Sequence, residues 1–151
     1  MRRLVMQVRF QDQATPPVSN PPSFSVRGES VEITQLDGES TDLPKRAAYE
    51  TRVRFTGETT FVEDGTMTFD SDADHLRIVT AGTLGPSAEP GVQHGSVIWR
   101  IEEGEGRFAA ASGLITSNFT VLADRGEVAW TPSALTAQAA CFCRRNGSSQ
   151  V

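Results

Sequence analysis

A chain of 151 residues fits one domain of ordinary size and buries on the order of 70% of the surface its unfolded form exposes, so a core is available without metals or crosslinks. Hydrophobic residues at 38% and charged residues at 22% exclude wholesale disorder. The net charge of -5, from 14 Lys+Arg against 19 Asp+Glu, excludes a nucleic-acid binder that works by neutralising phosphates, and 13 Gly with 8 Pro disfavour a helical bundle.

In chain order, Arg2 and Arg3 imitate the basic start of a signal peptide, but Leu4-Val5-Met6 is interrupted by Gln7 and Arg9 and is too short for its apolar region. No stretch approaches the roughly 18 apolar residues of a membrane span. A cytoplasmic protein with no membrane contact is the expectation. Leu4, Met6, Val8 and Phe10 alternate with weakly polar neighbours and read as a first strand. Residues 12–23 carry Pro16-Pro17 and Pro21-Pro22 and read as a long surface loop, because neither ladder nor helix tolerates that density of proline. Short strands are expected near 24–26 and over 31–36, the latter closed by Asp37-Gly38.

The middle of the chain alternates most clearly. Tyr49, Thr51, Val53 and Phe55 share one face, with Glu50, Arg52 and Arg54 on the other. Asp64-Gly65 reads as a tight hairpin turn between Phe61-Val62 and a returning strand 66–69. After the acidic turn 70–74 come strands over 76–84, 96–102, 114–122 and 127–130, with a Gly/Pro break at 85–91. The total is about eight strands and no helix, a pattern that favours a closed barrel or a sandwich. Residues 1–131 read as a single β domain and 132–151 as a C-terminal tail, in which 134–140 is expected to form a helical turn or two and the basic, small and polar 141–151 to be frayed or to lie across the barrel. Within it, Cys141 and Cys143 are two apart; a bridge between them would strain the backbone, and they read as free thiols.

Several motifs imitate known sites. Gly104-Glu105-Gly106-Arg107-Phe108-Ala109 satisfies the letter of a dinucleotide fingerprint, but a strand follows it where the phosphate needs a helix N-terminus. Asp70-Ser71-Asp72-Ala73-Asp74 begins like a calcium loop, yet its sixth position is His75 and its twelfth is Ala81, so it reads as a solvated hairpin tip. Asn118-Phe119-Thr120 and Asn146-Gly147-Ser148 are chance matches to the glycosylation pattern. His75 and His94 have no serine in a nucleophile-elbow context to serve, and the His and Cys residues are too few for a transition-metal site. No cofactor and no metal are expected. The aromatic residues Tyr49, Phe55, Phe61, Phe69, Trp99, Phe108, Phe119 and Trp130 fall on or beside the strands. They line either the interior or an oligomer face, since period two alone does not fix which parity points inward.

The segment Gly104-Glu105-Gly106-Arg107-Phe108-Ala109-Ala110-Ala111-Ser112-Gly113 resembles the G-x-G-x-F-x-G-A-x-G signature of the allene oxide cyclase and dirigent superfamily, with Ala110 where the family usually has Gly. Its glycines suit a tight turn, and Phe108 suits a plug at the barrel end. The resemblance spans residues 66–128 and extends through Leu114-Ile115-Thr116-Ser117-Asn118-Phe119-Thr120-Val121. It implies an all-β, calycin-like, eight-stranded antiparallel barrel with an apolar cavity, a homo-oligomer that works without a cofactor. Family members steer hydrophobic substrates through allene oxide cyclisation, phenoxy-radical coupling or spirotetronate-forming 4+2 cyclisation, and a bacterial-looking chain fits the last group. The resulting expectation is a cofactor-free cyclase acting on a polyketide-like small molecule. A barrel that binds a hydrophobic ligand without turning it over is the alternative, and a barrel with a filled interior is a third. In the cyclase reading Tyr49, Trp99 and Asn118 carry the chemistry, the first and last by donating hydrogen bonds to a substrate carbonyl and Trp99 as a flat wall. Phe55, Phe69 and Phe119 supply apolar lining.

Overall fold

A computed structural model of the chain describes residues 2–15, 17–38, 43–124, 127–129 and 135–143. Among them are nine strands: β1 (Arg2–Ala14), β2 (Ser23–Gly38), β3 (Ala47–Phe55), β4 (Thr60–Phe69), β5 (Ser71–Pro86), β6 (Val92–Gly104), β7 (Gly113–Asp124), β8 (Glu127–Ala129) and β9 (Leu135–Cys143). A single 3-10 turn, Gly106–Phe108, lies between β6 and β7. Strands β1 to β7 pair antiparallel with their sequence neighbours and curl into a half-barrel. The all-β, antiparallel expectation therefore holds. The β9 strand pairs with β1 from Arg2 to Phe10 and with β7 from Gly113 to Thr116, and β8 pairs with the far end of β7.

Alternation drives this arrangement. Tyr49, Thr51 and Val53 are buried inside the curl, and Glu50, Arg52 and Arg54 are exposed outside it. The same period places Met6, Val8 and Phe10 of β1, Phe61, Met67 and Phe69 of β4, and Val97, Trp99 and Ile101 of β6 in one core. Outer-face ion pairs such as Arg27–Glu50 at 3.0 Å and Arg9–Glu32 at 3.2 Å are solvated and contribute about 0–1 kcal/mol each.

The structure corrects four expectations from the sequence. The loop predicted over 12–23 is shorter: β1 runs on through Ala14, and the turn at 18–22 is tightened by a bridge between Val18 and Ser23. The two strands predicted at 24–26 and 31–36 are one, β2, because β1 pairs with it from Leu4 to Ala14, with two bulges that keep the ladder in step. Asp64-Gly65 is not a turn. Gly65 lies in the middle of β4, paired with Thr51 on one side and Ile78 on the other, and a Cβ there would lie 2.6 Å from Thr51 Cα. The glycine serves close approach between strands, and the reversal is made instead by 56–59. Finally, 135–143 is a strand and not a helical turn; pairing along the β1 edge outweighs the high helix propensity of its alanines. Trp130, the proposed domain boundary at 131/132 and Asn146-Gly147-Ser148 lie outside the described residues.

The segment with the family-like signature closes one end of the curl. Gly106 adopts φ +61, a conformation that favours glycine, and turns the chain so that Phe108 enters the core with its ring 4.7 Å from that of Phe69. Arg107 holds the turn in place. Its guanidinium bonds Asp70 at 2.6 Å and Asp74 at 3.2 Å, and its backbone N–H donates to Asp74 at 2.8 Å. Burial works to raise the Asp70 pKa, but hydrogen bonds from Arg107 and from the Arg46 and Lys45 N–H groups outweigh it and hold the carboxyl below its usual range. The acidic tip is thus an anchor for this turn.

Candidate active site

At the opposite end from Phe108, inward-facing side chains of seven strands, β1 to β7, enclose an apolar cavity of about 40 Å³ that opens to solvent. The space is a slot with room for on the order of three waters. Aromatic rings in two tiers form its walls. The deeper tier runs from Phe10 to Tyr49 (centroids 5.0 Å, edge-on) and on to Trp99 (6.0 Å). The outer tier runs from Phe24 to Phe55, Phe61 and Phe119, each ring 6.0–6.2 Å from the next. These spacings are typical of tilted and edge-to-face pairs.

Several of these rings lie over a cross-strand glycine. Gly28 is the register partner of both Asp12 and Tyr49, and a Cβ on it would run into the Tyr49 ring and Asp12 Oδ1. Its missing side chain is what lets the tyrosine of β3 meet the aspartate of β1 across β2. Gly82 beneath Phe61 and Gly95 beneath Phe119 repeat the arrangement at the mouth.

Two carboxyls sit among the rings. Glu63 continues the inward parity of Phe61 on β4 and is 6% exposed. Its Oε1 accepts a hydrogen bond from the Thr51 hydroxyl at 2.5 Å, and its Oε2 accepts from Trp99 Nε1 at 3.1 Å. Burial drives its pKa up to about 7; the Thr51 and Trp99 bonds oppose the rise, and the charges of Asp12 and Asp64 add to it. Asp12 continues the inward parity of Met6, Val8 and Phe10. Burial raises its pKa to about 6, against a hydrogen bond from Tyr49 that favours the charged form. Asp12 Oδ1 is shut off from solvent and has no hydrogen-bond partner. Burial, the charges of Asp12 and Glu63, and the bond to Asp12 together push the Tyr49 hydroxyl well above 10, so it stays protonated and acts as a donor.

The structure brings together four of the six residues expected from sequence. Tyr49, Trp99, Phe55 and Phe119 all line the cavity. Asn118 does not: it has the outward parity of β7, is exposed and pairs with Ser96. Phe69 is fully buried but packs against Phe108, at the other end of the core. Sequence reasoning missed Asp12 and Glu63. No Lys or Arg lines the cavity, so the two acids have no cationic partner there. Among the described residues no three His, Cys, Asp or Glu side chains converge as a metal site requires. Also among the described residues, no helix is long and apolar enough to cross a membrane. Carboxyls that titrate near neutrality beside a protonated tyrosine can exchange protons or hold a polar head, while the rings hold an apolar body. Compared with protein-family models, curated proteins and solved structures, the chain matches none.

Proposed function

We propose that the chain is a cofactor-independent cyclase that holds one end of a hydrophobic, polyketide-like intermediate in this slot and folds the rest against the rings at its mouth, with a 4+2 cycloaddition as the reaction class. The observation that carries the reading is the aromatic slot ending on Asp12, Tyr49 and Glu63. Ring walls at these spacings restrict a flexible conjugated chain to a reactive conformer, which lowers the barrier by removing entropy beforehand. The floor fixes the substrate's polar end and keeps a proton available near neutral pH. A closed eight-stranded barrel of the allene oxide cyclase and dirigent type belongs to the same proposal. The pairings of β9 with β1 and with β7, which lead from one margin of the curl to the other, support it. So does the signature-like turn that seats Phe108 under Phe69.

The test is conversion of linear diene–dienophile polyketide probes, followed by chromatography and mass spectrometry. Wild-type protein is expected to accelerate cyclisation, and Trp99→Ala to slow it about tenfold, equivalent to about 1.4 kcal/mol. Equal rates with Trp99→Ala, Tyr49→Phe and no protein would end the cyclase reading. The second reading, a barrel that binds a hydrophobic small molecule without turnover, is favoured by one feature. Glu63 has both oxygens committed to Thr51 and Trp99, as a structural acceptor would. Binding of the probe without conversion would select it.

A further inference from the structure

We propose that the ligand of this cavity carries a protonated amine, which sits on Asp12 between the deeper rings, and a flat apolar body held by the rings at the mouth. This names the ligand class of the site proposed above and rests on that cavity being the binding site. Three features carry it.

The first is charge. The titratable groups facing the slot are Asp12 from β1, Tyr49 from β3 and Glu63 from β4; β2, β5, β6 and β7 contribute only apolar side chains to its lining. Two acids and no base in an apolar enclosure leave the site short of a positive charge, and a neutral or anionic ligand does not supply one. The second is the unpartnered oxygen. Glu63 is satisfied by Thr51 and Trp99, but Asp12 Oδ1 is buried and accepts from nothing. A buried acceptor of this kind is destabilising until a donor reaches it, and an ammonium is the strongest donor available to it. The third is the ring geometry. Tyr49 and Trp99, at 6.0 Å and tilted by 50°, offer π-faces beside the carboxyl, the surroundings in which an alkylammonium is attracted by aromatic quadrupoles. The slot's 40 Å³ suits such a head group, and the half-buried Phe24, Phe55 and Phe119 remain for the body.

Protonation decides between this ligand and a neutral one. An ammonium binds the ionised carboxyls, so its affinity rises as pH climbs through about 6 and 7 and holds until the amine itself loses its proton near pH 10. A carbonyl or hydroxyl ligand, accepting a hydrogen bond from a protonated carboxyl, shows the opposite slope. The experiment is calorimetric titration of the full chain with 2-phenylethylamine, 2-phenylethanol and 3-phenylpropanoate at pH 5, 6, 7 and 8. The amine is expected to bind at pH 8 at least about tenfold more tightly than either analogue and about tenfold more tightly than at pH 5. Asp12→Asn, shown folded by circular dichroism, is expected to lose that preference and most of the pH dependence. The proposal is overturned if the alcohol binds as tightly as the amine, if affinity grows as pH falls, or if millimolar amine gives no heat. Cyclisation of a neutral polyene by a protein that ignores the amine would refute the ligand class alone. Amine binding without cyclisation of any probe would refute the enzyme reading and leave the ligand class standing.

Discussion

Replacing Glu63 by Gln is expected to stabilise the protein at pH 8 and to leave it nearly unchanged at pH 4. The carboxyl ionises near 4.5 in the unfolded chain and near 7 in the fold, chiefly because burial disfavours its charge. Between those pH values the folded state binds the proton more tightly, so stability falls as pH rises from about 4.5 to about 7 and is flat above. At about 1.4 kcal/mol for each tenfold change in proton affinity, the loss is on the order of 3 kcal/mol. Glutamine has nothing to ionise. Its carbonyl can still accept from Trp99 Nε1 while its amide donates to the Thr51 hydroxyl, so the two bonds survive with one reversed. Other groups titrate in the opposite sense. Asp70, held below its usual range by Arg107, contributes stability that is lost as pH falls. The informative quantity is therefore the difference between wild type and Glu63→Gln, in which Asp70 cancels. Urea unfolding followed by circular dichroism at pH 4, 5, 6, 7 and 8 measures it. A difference that stays constant across this range, or a variant less stable than wild type at pH 8, would refute a buried and ionisable Glu63.

Three further outcomes test the rest of the reasoning. Phe108→Ala removes a 3%-exposed ring from Phe69 and is expected to cost about 3–5 kcal/mol in urea unfolding, with the signature-like turn 104–113 losing amide protection first. Gly65→Ala places a Cβ against the backbone of Thr51, which has no room to yield, and is expected to cost about 1–3 kcal/mol where a turn glycine with φ > 0 would instead tolerate Asn. Gly28→Ala is expected to separate Tyr49 from Asp12, lowering stability by a similar 1–3 kcal/mol and, in the amine titration, weakening binding about as much as Asp12→Asn does.

The fold was legible wherever alternation was clean. In β3 inward Tyr49, Thr51 and Val53 alternate with Glu50, Arg52 and Arg54, and in β6 inward Val97, Trp99 and Ile101 alternate with an outer face that only Ile98 makes apolar; both strands contain the residues that pattern marks. It was illegible where a residue's usual local role and its long-range role conflict. Gly65 after an aspartate is the strongest short hairpin signal, yet here its bare Cα is used for strand-to-strand approach, information held by Thr51 and not by its neighbours. The alanines of β9 favour helix locally, and the pairing edges of β1 and β7 override that preference.

The site was half visible for the same reason. Tyr49, Trp99, Phe55 and Phe119 were found because large aromatics on strands suit a cavity wall, whereas Asn118 was chosen for its chemistry against its parity. Parity, applied consistently, points to the acids. Glu63 stands between Phe61 and Met67 on the inward side of β4, and Asp12 follows Met6, Val8 and Phe10 by the same step of two. Reading a turn at Asp64-Gly65 broke the first series, and reading a loop from residue 12 broke the second. A carboxylate at an apolar position is a local violation of the pattern that builds the sheet, and at Glu63 it sacrifices on the order of 3 kcal/mol at neutral pH. Two bonds hold the carboxyl there: a methionine of similar volume would fill the space but leave the Thr51 hydroxyl and Trp99 Nε1 without an acceptor, so the cost persists in the empty fold. A cation delivered to the slot offsets it, and it does so only in the bound state, so the same strain that weakens the empty fold sharpens its choice of ligand.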